Sequence, residues 1–161
     1  MAAAMTGPFP ARAYLPGVGV RPTPEAQDST PLDPAAWRSC DAYVHGLALF
    51  DRGYYWEAHE RWEALWILAG RTGPVAELLR GLIQLAAAGV KLRQGRTAGA
   101  IALAERARGH FAAVQTDALA GLELVALVAA TAWVIRVAPD WRGDPHAAVE
   151  VVFPLALTPS Q

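Results

Sequence analysis

Glycine and proline cut the chain between Asp33 and Arg136 into segments of helical length, and this punctuation is what most narrows its folds. Asp33-Pro34 has the form of a helix start, with a carboxylate acceptor followed by proline at the first helical position. Asp51-Arg52-Gly53, Gly70, Gly73-Pro74 and Gly95 then interrupt the chain. Trp37, Cys40, Val44, Leu47 and Ala48 recur at helical spacing and form the apolar stripe of a first helix. A second is expected from about Tyr54 to Ala69, a third from Pro74 to about Gln94 and a fourth from Thr97 to about Val114. A fifth is expected to begin near Thr116-Asp117. β-Branched residues are sparse outside two short valine clusters, which favours helix over strand. The expectation is an all-α fold, a small bundle of about five helices in which short connections make most neighbours antiparallel.

The flanks differ. Residues 1–33 carry Pro8, Pro10, Pro16, Pro22, Pro24 and Pro31, so no periodic run survives, and a disordered or loosely packed arm is expected. The bundle domain is placed at 34–137, followed by an irregular tail over 138–161 that opens on the turn cluster Asp140 to Pro145. Val149 to Phe153 is compatible with extended chain or helix. The arm has no continuous apolar stretch and does not resemble a secretory leader, so the cytoplasm is the expected compartment.

Leu124 to Ile135 is uncharged but too short to span a bilayer, so no membrane span is expected. It suits a buried central helix or a self-association surface. With 53% of residues hydrophobic, a homo-oligomer, specifically a dimer, is the expected state. Net charge is −1, leaving no large basic surface to neutralise a phosphate backbone, so nucleic acid is not an expected partner. Arg93, Arg96, Arg106 and Arg108 are expected to solvate outer helix faces. Cys40, the single cysteine, allows no internal disulfide and no cysteine-based zinc cluster. Its spacing assigns it to the core.

The chemistry is concentrated in Glu57-Ala58-His59-Glu60-Arg61-Trp62-Glu63. At about 100° per residue, Tyr55, His59, Trp62, Glu63 and Trp66 share roughly a third of the second helix. Three large aromatics on that face should carry His59 and Glu63 inward. A buried imidazole and carboxylate need partners. On the third helix Arg80, Gln84 and Lys91 line up within about 40°, offering a cationic and amide stripe to face them.

Two uses of such a seam are open. One is a hydrogen-bond and ion-pair network, with Arg80, Gln84, Trp62, Trp66 and Tyr55 around the acids, that fixes helix register in a non-catalytic binding module. The other is a divalent metal site. His59-Glu60-Arg61-Trp62-Glu63 has the form H-E-x-x-E, close to the H-E-x-x-H of zinc peptidases. His59 and Glu63 are then ligands one turn apart, and Glu60 is the catalytic base. No third ligand is evident: Asp41 and His45 lie off the first helix's apolar stripe, and His110 and His146 are isolated.

The run from Gly46 to Trp66, which includes Asp51-Arg52-Gly53-Tyr54-Tyr55-Trp56-Glu57-Ala58-His59-Glu60, resembles the signature of the family called domain of unknown function 309. Leu79-Arg80-Gly81-Leu82-Ile83-Gln84-Leu85-Ala86-Ala87-Ala88 matches its second block, and the resemblance covers roughly 44–112. It implies a small all-helical bundle without an established activity. Some members are labelled predicted metal-dependent hydrolases. It also implies that Glu57 joins His59, Glu60 and Glu63 as a motif residue and metal ligand, with Gln84 beside them. Asp51 and Arg96 depart from the family pattern, each standing where Asn is expected.

Overall fold

A computed structural model describes residues 9–23 and 30–159 of the chain. Pro8 and Pro24 of the expected arm therefore lie outside the described residues. The structure is mostly helical, with α1 at Asp41–Asp51, α2 at Tyr55–Leu68, α3 at Pro74–Arg93, α4 at Thr97–Ala113 and α5 at Leu124–Val137. Each helix packs on the next in sequence. No helix among the described residues is long and apolar enough to cross a membrane.

The helix bounds follow local chemistry at most positions. Asp33 caps the first turn by accepting from the Ala35 N–H at 2.9 Å, with Pro34 at the first helical position. That turn is a 3-10 segment, Pro34–Ser39, and the backbone extends at Cys40 before α1 begins. α3 lies between α2 and α4, and its Leu78, Leu79, Leu82, Leu85, Ala86 and Ala88 are fully buried. Gly81 lets the Phe111 ring of α4 lie against the α3 backbone, where a Cβ would collide with it.

The fifth helix starts later than expected. A two-stranded antiparallel hairpin, β1 at Ala118–Leu119 and β2 at Leu122–Glu123, intervenes. Its two turn residues, Ala120 and Gly121, both have positive φ, as a tight hairpin turn requires. Ala120 is an unusual choice there, and Tyr43 secures it by donating its hydroxyl to the Ala120 carbonyl at 2.8 Å. α5 then packs on α4 through Leu124, Leu127, Ala130, Thr131 and Val134. Its other side is open, with Val125 73% exposed, so the helix at the centre is α3 and not α5.

The flanks contribute to the core. Ala13 and Leu15 are buried, and the Ala13 N–H donates to the Ala148 carbonyl at 2.8 Å, joining arm to tail. The tail is without helix or strand from Trp141 to Pro159, but Val152, Phe153 and Leu157 are buried. Asp51, standing where Asn was expected, accepts the Leu157 N–H on one carboxylate oxygen at 2.6 Å and the Thr158 N–H on the other at 2.9 Å. An Asn amide has only one acceptor oxygen for the same two donors.

Candidate metal centre

On α2 the buried positions are Tyr55, Ala58, Trp62 and Leu65, spaced by three and four residues. Trp62 is wholly enclosed and lies on Gly46 of α1, where any Cβ would strike the indole. This sets the rotation of the helix. Its inward direction runs through Ala58 as well as the aromatics, which leaves His59, Glu60 and Glu63 on the flank and not in the interior. Their side chains are 26%, 30% and 42% exposed. The expectation of a buried His59–Glu63 pair is corrected to a half-open one. The wheel shared by the aromatics ran slightly off the true centre of the face.

The three side chains nevertheless converge. His59 Nδ1 lies 3.4 Å from Glu60 Oε1, and His59 Nε2 lies 3.9 Å from Glu63 Oε2. One donor atom from each residue can be chosen so that all three are within 4.8 Å of one another. Zinc held at roughly 2.0–2.2 Å from three such atoms needs them about 3.4 Å apart. Flexible Glu side chains reach that by rotating about an ångström inward. A set of one nitrogen and two oxygens suits zinc or another first-row divalent ion.

Glu57 does not join them. It is two residues from His59, about 200° around the helix, and faces the opposite way. Its Oε2 accepts the Tyr14 N–H at 3.0 Å, while its Oε1 is buried with no hydrogen-bond partner. Burial pushes its pKa above the usual carboxylate value, opposed by the Tyr14 hydrogen bond and more weakly by Arg93. Glu57, which the resemblance implied as a ligand, is thus not among the three side chains that converge. Glu60, expected as a base, is the third side chain of the converging group.

Arg80 and Gln84 do not close the ring of contacts either. Arg80 lies over the Trp66 ring at 4.8 Å, and neither residue makes a hydrogen bond to the triad among the described residues. Tyr55 is occupied elsewhere, accepting the Val152 N–H at 2.8 Å, and burial pushes its phenol up to about 12. Two histidines differ from expectation. His45 is buried in α1, edge-on to Phe9, and His110 pairs with Glu77 at 2.7 Å. Arg93 is also corrected, being 2% exposed and donating to the Ala147 carbonyl at 2.7 Å. Its burial depends on the tail folding over the end of α3, which no local pattern announces.

Residues 43–103 match the family described as Domain of unknown function (DUF309). The matched segment runs from α1 into α4 and contains all three converging side chains. Arm, hairpin, α5 and tail lie outside it. No curated protein matches the chain.

Proposed function

We propose that the DUF309 segment binds one divalent cation of the zinc type through His59, Glu60 and Glu63, and that the bound ion serves hydrolysis. The observation that carries this reading is the mutual approach of the three donor atoms to within 4.8 Å on a half-open helix flank. Such a cation supplies Lewis acidity. The chain's own residues define its surroundings: His59 offers the nitrogen, Glu60 and Glu63 offer two charges that balance the ion, and the open flank leaves room for a substrate. Glu60 acts as a ligand in this arrangement and not as the base.

A second reading has one observation in its favour. Each nitrogen of the His59 ring faces a carboxylate, an arrangement that also serves a plain polar network. The loss of Arg80 and Gln84 from that network weakens it. Elemental analysis of untagged protein separates the two. The metal reading expects one ion per chain and a rise in melting temperature on metal addition, both absent from His59→Ala. Absence of stoichiometric metal from the wild type favours the network.

The same proposal takes the helices as a bundle with antiparallel neighbours, the boundaries near 34 and 137 as approximate, and the chain as cytoplasmic and self-associating. The exposed apolar side of α5 around Val125 supports self-association. Light scattering that finds only monomer at high concentration removes that element alone.

A further inference from the structure

One turn beyond Glu63 on the same stripe of α2 lies Trp66, which is seven residues, or about two turns, from His59. Two guanidinium groups lie over its ring: Arg80 from α3 at 4.8 Å, and Arg71 from the turn after α2 at 5.4 Å. Arg71 adopts a left-handed backbone, φ 67, that L side chains rarely take. Neither arginine forms an ion pair within 4.0 Å among the described residues, although Glu63 lies about one turn from Trp66 on α2. An indole engages a guanidinium through its cationic face and leaves the in-plane N–H donors available. Two guanidinium groups engaged by one indole, one from α3 and one from the turn after α2, can both offer donors to a tetrahedral oxyanion.

The charges reinforce this assignment. The triad carries two carboxylate charges, which a divalent cation cancels. At Trp66 that leaves the two positive charges of Arg71 and Arg80. A phosphate monoester, with a charge near −2 at neutral pH, matches that remainder in sign and size. A carboxylate or a neutral ester does not.

We infer that Arg71 and Arg80, held on Trp66, form the anion subsite of the metal centre, and that its substrates are small phosphate monoesters. This rests on the metal reading above for its link to hydrolysis. The anion subsite itself stands on the two arginines and Trp66. The subsite positions the dianion beside the triad, so filling the triad with a cation relieves repulsion from Glu60 and Glu63 and tightens phosphate binding. Without the ion the two carboxylates offset the two arginines, and binding is weak.

The test is calorimetric titration of phenylphosphonate, a stable mimic of a phosphate monoester, with and without one equivalent of zinc. Wild type, Arg71→Gln/Arg80→Gln and His59→Ala are compared, and zinc binding to each is titrated separately. The inference expects at least a tenfold loss of phosphonate affinity in the double variant with its zinc affinity retained. It also expects at least a tenfold gain on adding zinc to the wild type, abolished in His59→Ala. Zinc binding as proposed, with phosphonate affinity changed less than twofold by the arginine substitutions, overturns the subsite and spares the metal reading. Phosphonate binding that depends on the arginines but is indifferent to zinc keeps the anion subsite and overturns its link to the metal centre. No phosphonate binding to zinc-loaded wild type overturns the inference outright.

Discussion

Tyr55→Phe isolates one bond between the helical core and the irregular tail. The Tyr55 hydroxyl accepts the Val152 N–H at 2.8 Å, and both residues are buried. The substitution removes a single oxygen and keeps the ring's edge contacts with Phe50 at 5.2 Å and Phe153 at 5.3 Å. What it leaves is a buried donor without an acceptor, which costs about 1–3 kcal/mol. For a chain of this length each kcal/mol moves Tm by about 2–4 °C, so a fall of about 2–12 °C is expected at pH 7. Alkali supplies a second signature. Burial raises the Tyr55 phenol from 10.0 to about 12, so its contribution is complete below pH 10 and fades as pH rises through 12. The gap between wild type and variant should therefore narrow across that interval. Thermal melts followed by circular dichroism, with amide exchange at Val152, read both effects. A Tm within 1 °C of wild type, with Val152 exchange unchanged, would refute the claim that the tail is fastened to α2.

Three further outcomes follow from the same packing. Glu57→Gln should be neutral or stabilising at pH 7 and leave metal binding intact, because the Gln oxygen still accepts from Tyr14 and no charge is desolvated. Burial raises the Glu57 pKa, so its contribution is present below the unfolded value near 4.5 and lost as pH rises through the folded value; urea melts should show wild type falling relative to the Gln variant from pH 4 to pH 7. Gly81→Ala should destabilise by about 1–3 kcal/mol despite alanine's better helix propensity, because the added methyl strikes Phe111, and a gain in stability would contradict the close α3–α4 approach. Tyr43→Phe should cost about 1 kcal/mol in urea unfolding and raise amide exchange in the hairpin, since the Ala120 carbonyl loses its donor.

Much of the helical framework was legible because its signals are local. Gly53, Gly73-Pro74 and Gly95 end or begin helices by backbone chemistry that acts within a few residues. The hairpin was not legible, because Ala120 gives no hint of positive φ and the bond that holds it there comes from Tyr43, 77 residues earlier. Arg93 and His45 were misplaced for a related reason. Their burial comes from segments remote in sequence, the tail for Arg93 and Phe9 of the arm for His45. At the candidate site the periodicity put His59 and Glu63 on one helix face, where their side chains do approach each other. It misjudged their depth, since a rotation of about 60° in where the buried face is centred decides whether an imidazole is enclosed or half-open. The third converging group was present in the motif all along. Glu60 was given the base's role by analogy with H-E-x-x-H, while its position beside His59 makes it a neighbour in the same cluster.

X-ray absorption at the zinc edge, on protein loaded with one equivalent of zinc, reads whether His59, Glu60 and Glu63 hold the ion. The expected shell is one imidazole nitrogen with oxygen donors and no sulfur, lost on His59→Ala and retained in Glu57→Gln. A shell with two or more imidazoles, a sulfur contribution, or a spectrum unchanged by His59→Ala would contradict it.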